Sequence, residues 1–102
     1  MNDLKFTFSD TIAGYVTRFD KKADAFDLKT SDGREFHVEL TPTTYAELVR
    51  NIGEPYHDAT GAVRDMLVPG RYLFAYGIFY PDAGQTRFEV KHLVFVGRRE
   101  GE

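Results

Sequence analysis

Two alternating runs on either side of an Asp-Gly pair constrain this chain more than any other feature. Phe26, Leu28 and Thr30 alternate with Asp27 and Lys29; beyond Ser31-Asp32-Gly33-Arg34, Phe36, Val38 and Leu40 alternate with Glu35, His37 and Glu39. A period of two sends one set of side chains into a core and the other into water. Asp-Gly tolerates the positive φ that a tight hairpin turn needs. The block therefore predicts an antiparallel hairpin with one apolar face. An isolated hairpin is marginal in water, so further strands must cover that face.

The flanking sequence supplies them. Thr11 to Phe19 is β-branched and aromatic, as strands are. Its interior Gly14 predicts a sharp coil or bulge that lets one strand serve both halves of a sheet. Asp20 to Asp24 is turn-like. Arg71 to Tyr80 and Phe88 to Val96 read as two more strands around the turn Pro81 to Gln85. Between the hairpin and these strands the period changes. Thr44 with Glu47 has capping-box spacing, Tyr45, Leu48, Val49 and Ile52 recur at helical intervals, and Gly53 stops the run. That pattern predicts a helix of two to three turns. Residues 53–69 form a long loop, with a helical turn near Ala62 to Leu67 tucking Val63, Met66 and Leu67 inward. Residues 1–10 are an N-terminal arm or an extension of the first strand, and 98–102 a frayed tail. All 102 residues fit one domain.

The order strand, strand, strand, helix, strand, strand, the glycine inside the first strand and the run Pro69-Gly-Arg-Tyr-Leu-Phe-Ala-Tyr-Gly77 together resemble the OB-fold. The resemblance implies an all-β fold with small α content: a five-stranded Greek-key barrel of order β1-β2-β3-α-β4-β5. An SH3-like barrel ranks behind it, because it lacks such a helix before the fourth strand. Closure fills the interior with side chains. The expected core is Ile12, Val16, Phe26, Leu28, Phe36, Val38, Leu40, Leu73, Ala75, Phe88, Val90 and Phe95.

Composition narrows the chemistry. The chain has no cysteine, which excludes disulfides, thiolate metal sites and cysteine nucleophiles. Thirteen Lys and Arg stand against sixteen Asp and Glu, a net charge of −3, and this disfavours nucleic acid as a partner. No apolar run approaches a membrane span, and the start Met1-Asn-Asp-Leu-Lys5 lacks a signal peptide's apolar core, so a cytoplasmic location is expected. His57, Asp58 and Asp65 share a loop that reads as solvated polar sequence rather than a metal site. Phosphate-loop and Gly-x-Ser-x-Gly motifs are absent. Catalysis by this domain alone, a cofactor and a metal are not expected.

Two surfaces remain as binding candidates. One is the outward face of the hairpin: Asp27, Lys29, Glu35, His37 and Glu39. It has one cation against three carboxylates and no aromatic ring, so it repels phosphate while leaving oligosaccharide as a ligand. The other follows from alternation on the fourth strand. If Leu73 and Ala75 point inward, Tyr72, Phe74 and Tyr76 point outward, and Tyr15 on the neighbouring first strand joins them. Contiguous exposed apolar area marks an interface.

The runs Phe6 to Phe19, Leu40 to Leu48 and Pro69 to Pro81, with the closing Lys91 to Arg99, are similar to the N-terminal barrel of some bacterial N-acylglucosamine 2-epimerase-like (AGE family) epimerases and isomerases. The resemblance implies an accessory role: packing on a helical catalytic domain, orienting oligomers or helping to hold a polymeric sugar. The family's catalytic residues belong to that helical domain, so none is carried onto this chain. The expected partner is protein, either a catalytic domain in cis or a second copy.

Overall fold

The computed structural model of the chain describes residues 8–50, 53–82 and 85–97. Its elements are β1 (Phe8–Asp20), β2 (Ala25–Lys29), β3 (Glu35–Glu39), β4 (Tyr45–Val49), β5 (His57–Asp58), a 3-10 turn (Thr60–Ala62), the one-turn helix α1 (Val63–Met66), β6 (Tyr72–Asp82) and β7 (Gln85–Val96). The predicted hairpin is β2 and β3, with Phe26 opposite Val38 and Leu28 opposite Phe36. Gly33 takes φ +89 in its turn.

The strands close into a ring. β1 pairs with β2 and with β6, β6 pairs with β7, and β7 returns to β3 in a parallel pairing at Val38 and Phe88. A closed ring leaves fewer backbone groups exposed for pairing with other chains. β1 joins both halves. Its residues up to Tyr15 run beside β6, and from Tyr15 onward it runs beside β2. The crossover falls at Gly14. A Cβ there would lie 2.7 Å from the Lys29 carbonyl carbon and 3.0 Å from Thr30 Cα, so a residue without one is required for the strands to approach.

Inside the ring, every residue expected in the core is buried except Phe36, which is partly buried and packs against it. Ala46, Phe79 and Leu93 join them. Val63 and Leu67 are also buried and Met66 packs against the core, so the short helix tucks in as its sequence indicated.

The sequence misassigned residues 44–52. Tyr45–Val49 is a strand, β4, running parallel to the second half of β7 from Tyr45 opposite His92 to Val49 opposite Val96. The two-residue β5 lines its far edge. Short apolar runs satisfy either period, and here Ala46 faces the core while Tyr45 and Glu47 face out. Five residues of parallel ladder and the complete burial of Ala46 outweigh a short helix's weak propensity. Thr44 caps no helix. Its hydroxyl donates to the Val90 carbonyl at 2.9 Å and accepts the Thr41 N–H at 2.8 Å, tying the turn to β7. The architecture is therefore a β-rich ring with two added strands, and its helix is one turn placed later. Residues 8–10 extend the first strand, while 1–7 and 98–102 lie outside the described residues.

One polar clamp fixes α1 from outside. Arg64 donates to both carboxylate oxygens of Asp24, at 2.8 and 2.6 Å, and the pairing raises the guanidinium's pKa. Asp24 sits at φ +55 in the turn between β1 and β2. Because both side chains are about half exposed, Arg64→Ala is expected to lower unfolding free energy by no more than about 1 kcal/mol. Urea denaturation of the two proteins measures it, and a larger loss would mean the pair does more than surface ion pairs do.

Candidate functional site

Strand alternation builds an outward face on β1, β6, β7 and β4. Across it the backbone register sets out rows of side chains. Tyr15 lies opposite Tyr72 at one end, with Val96 opposite Val49. In the middle Ala13 meets Phe74, Phe74 meets Val94, and Val94 meets Glu47. At the other end Thr11 meets Tyr76, Tyr76 meets His92, and His92 meets Tyr45.

The rings touch as this register requires. Tyr15 stands edge-on to Tyr72 with centroids 5.0 Å apart, and Tyr72 edge-on to Phe74 at 5.5 Å. In the last row His92 is stacked between Tyr76 at 5.4 Å and Tyr45 at 5.1 Å. Glu47 binds two members of that row. The His92 Nε2–H donates to its Oε1 at 2.9 Å, and the Tyr45 hydroxyl donates to its Oε2 at 3.0 Å. The second bond raises the Tyr45 pKa, because the carboxylate favours the protonated phenol.

Burial divides the face into a centre and a rim. Val94 is 4% exposed although it points away from the ring interior, and Phe74 is half-buried. Tyr15, Tyr45 and Tyr76 are 47%, 44% and 40% exposed. Glu47 is the one formally charged side chain in these rows, on a chain whose charged residues make up 28%. The next charges along the sheet, Glu89 and Lys91, pair with each other at 3.6 Å. Lys91 is the extra residue where the β6–β7 register shifts between Tyr76 and Gly77. The four aromatic residues picked out by sequence thus lie together on one face. Tyr45, Glu47 and His92 belong to it too, and the sequence reading missed them. Their signal was present: Thr44-Tyr-Ala-Glu-Leu-Val49 also alternates, and a strand assignment would have put Tyr45 and Glu47 on one side.

The hairpin face is different in kind. The His37 Nδ1–H donates to Asp27 Oδ1 at 2.8 Å, Arg18 approaches Asp27 at 3.9 Å, Lys29 stands opposite Glu35, and Arg87 reaches Glu39 at 3.4 Å. Its charges neutralise one another. In the loop, the Thr60 N–H donates to Asp58 Oδ1 at 2.9 Å and lowers that carboxyl's pKa. At the hairpin turn, a hydrogen bond from the Thr30 hydroxyl does the same for Asp32. His57, Asp58 and Asp65 form no cluster able to hold a metal ion among the described residues. No helix among those residues is long and apolar enough to cross a membrane. Comparison with protein-family models, curated proteins and solved structures finds no match to this chain.

Proposed function

We propose that the chain is a non-catalytic interaction domain, an OB-type Greek-key barrel with two inserted strands, which docks a protein partner through the tyrosine-rimmed face of β1, β6, β7 and β4. The observation that carries the reading is the face's near-absence of charge: rows of Tyr, Phe and Val with one carboxylate, itself bonded to His92 and Tyr45. Interface centres are depleted in charge and enriched in aromatic residues, and amphipathic rims exclude water around them. In favour of the barrel assignment are the parallel return of β7 to β3, the glycine crossover in β1 and the short helix ahead of β6.

The size of the face bears on the kind of partner. Four strands at ~4.8 Å span about 19 Å, and the five residues from Tyr72 to Tyr76 span roughly 14 Å. Covering that patch buries roughly 600 Å² counted on both sides, at the low end for contacts between domains of one chain. A stable complex of free chains needs about 1,000 Å² or more. The small area favours a tethered partner, whose effective concentration offsets weak contacts. Packing on a catalytic domain of the sugar-epimerase type, as the resemblance implies, fits that requirement.

Supplying such a helical domain in trans at high concentration tests the proposal by titration calorimetry. Binding is expected, and Phe74→Asp and Tyr76→Asp should each weaken it at least tenfold, as a charge at an interface centre does. Affinity unchanged by both substitutions would remove the face from any docking role. Concentration-dependent sedimentation of the chain alone, abolished by the same substitutions, would identify a second copy as the occupant.

A further inference from the structure

A groove on another part of the surface has the opposite character to the aromatic face. It opens between β4, β5, the 3-10 turn and α1, with a volume of about 410 Å³. Its apolar lining comes from Leu48, Ala59, Ala62 and Met66, and its polar lining from Arg50, His57, Asp58 and Arg71. Small-molecule sites combine these properties: a few hundred Å³, a mostly apolar wall and a few convergent polar groups.

The charges give the groove a sign. Two arginines line it against a single carboxylate, on a chain whose net charge is −3. That carboxylate, Asp58, already accepts the Thr60 N–H. Arg71 is held at the wall with its guanidinium 6.0 Å from the centre of the Phe95 ring, and Phe95 is fully buried in the core. A ligand must therefore bring negative charge to Arg50 and Arg71 and apolar surface to Leu48 and Met66. Guanidinium groups recognise carboxylates and phosphates through paired N–H donors.

We propose that this groove binds a small amphiphilic anion, a carboxylate or phosphate head on a short apolar body. The site does not depend on the aromatic face and shares none of its residues. The head lies at Arg50 and Arg71, and the body lies over Ala62 and Met66. Ala62 is exposed, so a larger side chain at that position narrows the groove without entering the core.

Amide shifts in ¹⁵N-labelled protein test the proposal, with sodium octanoate, octyl phosphate and octylammonium chloride as probes of matched body and different head. Saturable shifts at Leu48, Ala59, Ala62 and Met66 are expected with one or both anions, and none with the cation. The head that saturates at lower concentration identifies which anion the groove prefers. Arg50→Gln should raise the dissociation constant at least fivefold, and Ala62→Phe should abolish saturation while the remaining amide spectrum stays native. The proposal is overturned if neither anion saturates those amides, if octylammonium does so equally, or if Arg50→Gln leaves the affinity unchanged. Shifts confined to Tyr45, Tyr76 and His92 would also overturn it, since they would mean that the probe's apolar body simply found the aromatic face.

Discussion

Gly14→Ala should destabilise the protein by about 3 kcal/mol or more, although it adds a single methyl group. Extra methylenes in packed regions usually cost about 1–3 kcal/mol, and the lower values occur where side chains can rotate away. Here the obstacle is backbone. The new Cβ meets the carbonyl of Lys29 and Thr30 Cα, both in the segment that leaves β2 beside the crossover. Relief requires β1 and β2 to part just where β1 changes partners at Tyr15. Gly61→Ala is the matched control: a Cβ there meets nothing within 4 Å, and its φ lies outside the left-handed region. That substitution should change stability by no more than about 0.5 kcal/mol. Chemical denaturation of both variants decides the matter. Equal midpoints would mean that the strands can separate at Gly14 without loss, and the ring would not be as tightly closed as its register indicates.

The contrast between Gly14 and the segment 44–52 shows which parts of this molecule are legible in its sequence. The hairpin could be read because Asp32-Gly33 and the alternation on either side are local, and one-residue slips would expose Phe26, Leu28, Phe36 and Val38 together. Gly14 could be read because a glycine inside a β-branched run has few other uses. The segment Tyr45–Val49 could not be read in the same way. Its conformation is decided by pairing with β7, more than forty residues later, and its few apolar positions fit a helix as well as a strand. The candidate site divides along the same line. Tyr72, Phe74 and Tyr76 follow from alternation on one strand, and Tyr15 from its pairing with that strand. Tyr45, Glu47 and His92 required the parallel β4–β7 ladder, which leaves no mark within either strand. The groove by α1 was less legible still, because its arginines come from the ends of β4 and β6 and meet only through the fold.

Phe26→Ala, the second large effect, should lower unfolding free energy by about 3–5 kcal/mol, the usual range for deleting a buried aromatic ring. The ring is 1% exposed and lies between Phe19 on β1 and Val38 on β3, so its removal leaves a cavity bordered by three strands. These strands are held by their own hydrogen-bonded ladders and cannot readily collapse into the space. Small domains have total stabilities of about 5–15 kcal/mol, so the loss takes a large share. The thermal midpoint should fall by roughly 15–30 °C. The comparison that gives this measurement its meaning is Phe74→Asp. Phe74 is half-buried on the outward side of β6 and Phe26 is inside the ring, so the two substitutions should affect different properties. Phe26→Ala should reduce stability and leave docking intact at temperatures where the variant remains folded. Phe74→Asp should reduce docking at a much smaller cost in stability. If Phe74→Asp instead unfolds the chain as readily as Phe26→Ala does, Phe74 belongs to the core and the outward face loses its centre. The ring and the face would then be one packing unit, with no surface left over for a partner.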